Sequence, residues 1–223
     1  MKLHLGCGER YFPGYTNIDY PVIKQTVIKA RVDTYADIIT LKYPKSSITE
    51  IRLHHVFEHF DRPTALALLC RWRDMLSPGG LLRIETPDAM ECFAQMISPW
   101  YSFDQKQQIE RHLFGSHEAD WAVHWDGWYK EKFAYTLTLL GFEDIRFKTN
   151  KWGVTRNIEV FSHKSNNGIS SKKYRQLCQC ILTHSTVRVK TKDRLVPEGS
   201  EVKTVKVWMN KWQKIYSAKS RVK

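Results

Sequence analysis

The first 163 residues alternate between two hydrophobic patterns. Short apolar runs bounded by Gly, Asn, Asp or Pro predict strands, because buried strands of parallel sheets read as continuous apolar stretches. A 3.6-residue apolar period over 65–76, preceded by Asp61 as N-cap and by Pro63, predicts a helix. A similar period predicts a helix over 128–140, with Gly141 just beyond its end. The predicted strands are 3–5, 15–18, 48–53, 81–86, 142–147 and 157–162.

The order of these elements predicts an α/β protein. Strands that alternate with helices form a parallel sheet with helices on both faces. The nine residues between 147 and 157 are too few for a crossover, so the last two strands are expected to be antiparallel. We therefore predict a doubly wound, mostly parallel sheet. Residues 88–97 are expected to form a helix, and 98–127 to be irregular.

The charge of the chain is concentrated near its C-terminal end. The 223 residues include 35 Lys and Arg and 23 Asp and Glu, a net charge of +12. Residues 1–163 contain 20 of each sign, so the whole excess lies in 164–223. We therefore expect one domain over 1–163 and a basic C-terminal extension over 164–223.

The extension is expected to be helical over 171–182 and over 202–219. The second helix would place Val205, Trp208, Trp212 and Ile215 on one face and most of its lysines elsewhere. Docking on the rest of the chain or self-association is the preferred interpretation. Contact with an anionic membrane surface comes second and nucleic acid third. An alternating strand over 201–208 also stays open.

The cysteines give the expected compartment. Their number is five, and their spacing matches neither a zinc site nor a disulfide framework. Reduced thiols are typical of cytoplasmic proteins. We expect a cytoplasmic protein, with peripheral contact at the inner face of a membrane as an added interpretation for the basic extension.

A glycine-rich turn, Gly6-Cys7-Gly8, directly follows the first strand. Glycine lets main-chain N–H groups approach a ligand closely. A dinucleotide fingerprint would need a third glycine where this chain has Tyr11, and the Walker motif is absent. Asp19 ends the next strand, where a carboxylate can accept hydrogen bonds from both hydroxyls of a ribose. These residues indicate a ligand that contains adenosine.

Five motifs in order resemble the class I S-adenosylmethionine-dependent methyltransferases, and the compact type-11 group most closely. They are LHLGCGERYFPGYTNID (3–19), AD (36–37), RLHHVFEHF (52–60), LSPGG (76–80) and LLRIETPD (81–88). The resemblance covers residues 3–163. It implies a seven-stranded Rossmann-like sheet, S-adenosyl-L-methionine as cofactor and methyl transfer as the reaction.

The resemblance also implies which residues bind the cofactor. The glycine turn would contact its methionine part, Asp19 the ribose and Asp37 the adenine amine, with His54 or His55 beside the sulfonium. Many members carry a carboxylate where this chain has His4, so contact with the amino group would run through water or backbone. The implied set is Gly6, Cys7, Gly8, Asp19, Asp37, His54 and His55. Glu58-His59 is interpreted as capping and orienting the next helix.

Residues 112–128 occupy the place where such enzymes build the acceptor pocket, and they are rich in His, Trp and acidic residues. In the first hypothesis His124 is a general base oriented by Asp126 or Asp120, and tryptophans stack on a sugar or aromatic ring. His117 is a further catalytic candidate. A metal site from His117, Glu118, Asp120 and His124, and plain packing, are the alternatives. No metal is assigned to the expected reaction.

The expected function is O-methylation of a carbohydrate hydroxyl in the biosynthesis of a surface glycan or a lipid-linked saccharide. Methylation of a small metabolite or of RNA is the alternative within enzymes. A non-catalytic, cofactor-binding scaffold is the alternative outside them. The expected partner is a small-molecule or glycan substrate, and homo-oligomer formation is left open.

Overall fold

The computed structural model describes residues 1–20, 31–191 and 194–218. Within these residues, seven strands form one sheet, and helices flank it. The strands are β1 (Lys2–Leu5), β2 (Thr16–Asp19), β3 (Thr34–Tyr35), β4 (Ile48–His54), β5 (Leu76–Pro87), β6 (Phe142–Trp152) and β7 (Thr155–Lys164).

The sheet has the order β3-β2-β1-β4-β5-β7-β6. Neighbouring strands from β3 to β5 are parallel, whereas β7 is antiparallel to both β5 and β6. The predicted doubly wound, mostly parallel sheet is confirmed. Because β1 lies between β2 and β4, the strand order reverses there. In such sheets, ligands bind at that reversal, outside the carboxyl ends of the strands.

The helices begin and end close to the predicted signals. The Asp61 carboxylate accepts a hydrogen bond of 3.0 Å from the Thr64 N–H, and Gly141 follows a helix end with φ +78°. No helix in the described part of the chain is long and apolar enough to cross a bilayer. The helices are α1 (Arg62–Met75), α2 (Ala89–Ile97), α3 (Phe103–Phe114), α4 (Lys130–Leu139), α5 (Ser171–His184) and α6 (Gly199–Tyr216). A 3₁₀ turn spans Phe57–His59, and β8 (Arg188–Lys190) pairs with β9 (Leu195–Pro197).

Two local predictions are wrong. The segment 98–127 is not irregular throughout, because it contains α3. The start of α3 is a capping box, in which Ser102 and Gln105 each accept a hydrogen bond from the backbone N–H of the other. The expected nine-residue loop is a two-residue turn between Trp152 and Thr155, because β6 and β7 extend further than their apolar cores.

The last helix packs against the rest of the chain. Val205, Met209, Trp212 and Ile215 of α6 are buried in the hydrophobic core that also contains residues of α1 and α5. Trp212 is fully buried and stacks on Tyr216 with 4.9 Å between ring centroids. The strand alternative over 201–208 is therefore wrong. The apolar face of α6 is occupied by contacts within the chain.

Candidate cofactor and acceptor site

The glycine turn after β1 has a conformation that only glycine adopts without strain. Gly6 and Gly8 have φ of +66° and +52°. A Cβ added at Gly6 would lie 2.3 Å from Cγ2 of Val56. The N–H groups of Gly6 and Cys7 both donate to the carbonyl of Ile18, at 2.8 and 3.2 Å. The turn is therefore held against β2, and Gly6 and Gly8 add no side chain of their own over its backbone.

Two carboxylates follow the ends of β2 and β3. The Asp19 carboxylate accepts hydrogen bonds from the N–H groups of Gly8 at 2.5 Å and of Tyr20 at 2.6 Å. These bonds hold Asp19 directly beside the glycine turn. Asp37 accepts from the N–H of Ile39 at 2.8 Å and begins the short loop after β3.

A cavity of about 350 Å³ joins these groups to residues of the segment 112–128, where the acceptor pocket is predicted. Gly6, Gly8, Asp19, Asp37 and His55 line one part of it. Asp120, Trp121 and Trp125, together with His59, line another part. One space thus contains most of the predicted cofactor residues and the aromatic side chains predicted to hold the acceptor.

The other two predicted cofactor residues, Cys7 and His54, do not line the cavity and contact protein groups instead. The thiol of Cys7 is buried, lies 3.5 Å from the carbonyl of Arg31, and burial raises its pKa to about 12. Nε2 of His54 contacts the guanidinium of Arg10 at 2.5 Å and the carboxylate of Glu85 at 3.0 Å. His55 is therefore the member of the His54–His55 pair that the structure places at the cavity.

His4 is part of the core. It is fully buried, and its Nδ1 lies 3.1 Å from Oδ1 of Asn17. Burial lowers the pKa of His4 to about 4, so the ring is neutral near pH 7. His4 therefore supplies no charge at the position where the resemblance leads one to expect a carboxylate.

An ion-paired cluster lies at the carboxyl end of β4. His55 has φ +52°, and its ring nitrogens lie 3.1 Å from Glu58 and 3.5 Å from Glu85. Burial acts to lower the pKa of His55, but hydrogen bonds to both carboxylates raise it to about 9. His55 is therefore protonated at neutral pH and does not serve as a base there. Burial acts to raise the pKa of Glu58, but the hydrogen bond from His55 and the charge of that ring lower it to about 2.

His124 lies beside this cluster. Its Nδ1 contacts the carbonyl of Leu113 at 3.3 Å, and its Nε2 lies 4.0 Å from Oε1 of Glu58. Its ring centroid is 4.6 Å from that of His59. Burial lowers the pKa of His124 to about 4, which keeps the ring neutral. The group that faces His124 is thus Glu58.

Asp126 and His117, the other two catalytic candidates, contact groups other than His124. The Asp126 carboxylate contacts Lys132 at 2.6 Å and Arg62 at 3.4 Å, and it lines a separate cavity of about 640 Å³. The hypothesis that Asp126 orients His124 is therefore wrong. His117 is exposed, and its Nε2 bonds the carbonyl of Phe114 at 2.9 Å. The catalytic set proposed from the sequence is not assembled in one place.

Of the three tryptophans in 112–128, one is buried in the core and two line the 350 Å³ cavity. Trp128 is 2% exposed and stacks on Phe133, with 4.7 Å between ring centroids. Trp125 is 62% exposed and lines the 350 Å³ cavity with Trp121. Trp121 and Trp125 therefore lie at the cavity, whereas Trp128 belongs to the core.

The sequence interpretation missed the role of Glu58. It is 2% exposed, and the cap of α1 is Asp61 rather than Glu58. Four of the six residues from His54 to His59 are ionisable, and they come directly after a buried strand. That density of ionisable groups at a strand end is the signal that could have identified the cluster.

Several solved structures share the fold of this chain at low sequence identity. No protein-family model matches the sequence, and no curated protein matches it significantly. Two solved methyltransferases that use S-adenosylmethionine, from Archaeoglobus fulgidus and Mesorhizobium loti, are each 13% identical with a TM-score of 0.50. Each alignment covers 73% of this chain, with 85% of the first structure and 90% of the second.

A third structure is the 1,6-didemethyltoxoflavin-N1-methyltransferase of Burkholderia thailandensis, bound to 1,6-didemethyltoxoflavin and S-adenosylhomocysteine. It is 11% identical with a TM-score of 0.50, and the alignment covers 74% of this chain and 71% of that one. The fold is that of the class I S-adenosylmethionine-dependent methyltransferases. In this methyltransferase fold, the 350 Å³ cavity lies where the strand order reverses. Membership of the type-11 group stays a prediction.

Proposed function

We propose that the protein transfers a methyl group from S-adenosylmethionine to an acceptor. The observation that carries the proposal is the cavity in which Gly6, Gly8, Asp19 and Asp37 lie together at the ends of β1, β2 and β3. A glycine turn that a ligand can approach closely, followed by two carboxylates at this spacing, suits the amino-acid, ribose and adenine parts of the cofactor. Gly6, Gly8, Asp19, Asp37 and His55 are the proposed binding residues, with the backbone of Cys7 beside them.

The acceptor is proposed to be a carbohydrate hydroxyl. Trp121 and Trp125 line the same cavity as Asp19, and aromatic faces pack well on the apolar face of a sugar ring. Asp120 adds a hydrogen-bond acceptor on that wall. Methyl transfer requires alignment of the donor carbon with the acceptor oxygen, and both would be held in this one space.

Titration of S-adenosylmethionine and S-adenosylhomocysteine into the full-length protein tests the first step. Asp37→Ala is expected to weaken binding of both by about tenfold or more, because a charge-assisted hydrogen bond contributes about 1.5–3 kcal/mol. Asp104→Ala, at an exposed position of α3, is the matched control. Failure of the wild-type protein to bind either ligand would end the methyltransferase proposal.

Incubation with methyl-labelled cofactor and a panel of carbohydrates, small metabolites and RNA tests the acceptor class. Trp125→Ala is expected to raise the acceptor KM while leaving cofactor affinity unchanged. Trp152→Ala is the control, since Trp152 is 75% exposed and lies at the β6–β7 turn. Label transferred to metabolites or RNA, with carbohydrates unlabelled, would contradict the carbohydrate assignment.

A further inference from the structure

A carboxylate and two imidazoles converge next to the proposed cofactor site. Glu58 and His59 lie on the 3₁₀ turn, and His124 lies in the segment after α3. One ligand atom of each residue lies within 4.8 Å of those of the other two. The backbone N–H of Trp125 donates to the carbonyl of Glu58 at 2.9 Å, which fixes the two segments side by side.

Glu58 has an oxygen that needs a partner. Its Oε1 accepts a hydrogen bond from His55 at 3.1 Å. Its Oε2 is buried and has no hydrogen-bond partner among the residues that the structure describes. A buried carboxylate oxygen without a partner is costly, and a cation is the strongest partner that it can be given.

The imidazoles of His59 and His124 have their protons placed by backbone carbonyls. Nδ1 of His59 lies 3.2 Å from the carbonyl of Val123, and Nδ1 of His124 lies 3.3 Å from that of Leu113. A carbonyl only accepts hydrogen bonds, so Nδ1 carries the proton in both rings. Nε2 is then the nitrogen of each ring that can offer a lone pair to a metal ion. Metal-binding histidines are typically supported in this way.

A neighbouring cluster of His54, His55 and Glu85 is less suited to a metal ion. Both ring nitrogens of His55 face carboxylates, so both act as donors. The guanidinium of Arg10 also contacts Nε2 of His54, which places a cation where a metal ion would lie.

The metal set considered from the sequence is not assembled. His117 uses Nε2 to bond the carbonyl of Phe114. Glu118 faces Arg111 at 3.9 Å. Of that set, His124 belongs to the group with Glu58.

We propose that Glu58, His59 and His124 form a binding site for a divalent transition-metal ion. Two imidazoles and one carboxylate favour Zn²⁺, Fe²⁺ or Co²⁺ over Mg²⁺ and Ca²⁺, which prefer oxygen ligands. Metal–ligand distances of about 2.0–2.2 Å place tetrahedral ligand atoms about 3.4 Å apart. Oε1 of Glu58, which also bonds His55, lies 4.0 Å from Nε2 of His124, so ligation requires these side chains to approach by about 0.6 Å.

Three protein ligands would leave one position of a tetrahedral metal ion free. Because His59 also lines the cavity, that fourth position would open toward it. An acceptor hydroxyl bound there would lose its proton to water more readily, and its oxygen would then form a bond to the methyl carbon as the carbon–sulfur bond of the sulfonium donor breaks and the thioether leaves. This role rests on the proposed function. The metal site itself does not.

Cobalt titration of the chelator-treated full-length protein tests the site, with the visible d–d absorption of Co²⁺ as readout. One equivalent is expected to bind, to be displaced by Zn²⁺ and to resist excess Mg²⁺. His124→Gln and Glu58→Gln are expected to lower the Co²⁺ affinity by about 10- to 100-fold or more. His117→Gln, at an exposed histidine outside the group, is the control and should bind as the wild type does.

Circular dichroism and S-adenosylhomocysteine titration check each variant independently of the metal. If Glu58→Gln does not fold, His59→Gln replaces it in the comparison. Equal Co²⁺ affinity in the wild type and His124→Gln, or a wild type without the d–d spectrum, would overturn the proposal. Because cofactor binding is measured separately, that result is distinguishable from failure of the proposed function.

Discussion

The guanidinium of Arg73, in α1, donates a hydrogen bond of 3.2 Å to the hydroxyl of Tyr174, in α5. Arg73 is 1% exposed, and its other N–H groups reach the carbonyls of Gly141 at 3.0 Å and Asn167 at 2.6 Å and the hydroxyl of Ser165 at 3.0 Å. A buried cation is tolerated where its donors are satisfied in this way. Arg73 thus connects α1 to the chain between β7 and α5 and to α5 itself.

Arg73→Met is expected to lower the free energy of unfolding by about 3 kcal/mol, because it removes a buried charge together with the partners of several polar groups. Urea denaturation followed by circular dichroism measures the change. Arg175→Met is the control, since Arg175 is exposed and bonds Gln213 of α6 at 2.9 Å. A loss below about 1 kcal/mol for Arg73→Met would show that these bonds contribute no more than exposed ones.

Trp212→Ala tests whether α6 stabilises the sheet domain. The side chain is fully buried, so its removal is expected to cost about 3–5 kcal/mol through lost burial and a cavity. Val207→Ala, on the same helix at a residue that is 66% exposed, should change stability by less than about 0.5 kcal/mol. A single cooperative urea transition, shifted as a whole in Trp212→Ala, is the expected form of the result. Two separate transitions in the wild type would contradict it.

Asp19→Asn is expected to weaken S-adenosylhomocysteine binding by about 10- to 100-fold, because the carboxylate proposed to accept hydrogen bonds from the ribose becomes a neutral amide. The Asn side chain retains one oxygen for the N–H groups of Gly8 or Tyr20, which limits the effect on the turn itself. Isothermal titration calorimetry measures the affinity, and Asp104→Asn serves as the neutral-surface comparison. Unchanged affinity would remove Asp19 from the proposed cofactor site.

His4 makes stability depend on pH in the mildly acidic range. Its pKa is about 4 in the folded protein, against 6.5 for an ordinary histidine. At pH 7 neither state binds the proton; as the pH falls below 6.5 the unfolded chain binds it and the folded protein does not. Stability attributable to His4 therefore declines between pH 6.5 and 4, by ~3 kcal/mol in total.

His4→Gln is accordingly expected to flatten the pH dependence of the free energy of unfolding between pH 7 and 4.5. Urea midpoints measured at several pH values provide the slope. His117→Gln, at an exposed site, is expected to leave the slope of the wild type in place. Parallel slopes in His4→Gln and the wild type would contradict the assignment.

The parts of the fold that depend on local patterns could be predicted from the sequence. The β1 strand, its glycine turn and Asp19 lie within 17 residues, and each follows from a short apolar run or a turn residue. The helix α3 was missed because Ile109 and Leu113 are its buried apolar residues, too few for a clear period. Its Ser102–Gln105 capping box was the available signal.

The acceptor side of the site was less predictable, because its contacts join distant parts of the chain. Glu58 and His124 are brought together by the backbone bond from Trp125 to Glu58, and periodicity carries no information about such a bond. The local density of polar residues in 112–128 favours Asp126 or Asp120 as the partner of His124. Lys132 and Arg62, which bind Asp126 instead, lie outside that segment.

Gly115 allows the chain to turn back closely on itself just before the residues that line the cavity. It has φ +96°, and a Cβ there would lie 2.1 Å from the carbonyl oxygen of Ala122. Next to this close approach, the N–H of His124 donates to Phe114 at 3.0 Å. Residues 115–123 therefore form a loop whose two ends, at Phe114 and His124, are joined by a backbone hydrogen bond. The backbone bonds of His124 to Phe114 and of Trp125 to Glu58 tie these two residues to the same framework, so a side chain placed at Gly115 is expected to displace the imidazole beside Glu58 together with Trp125.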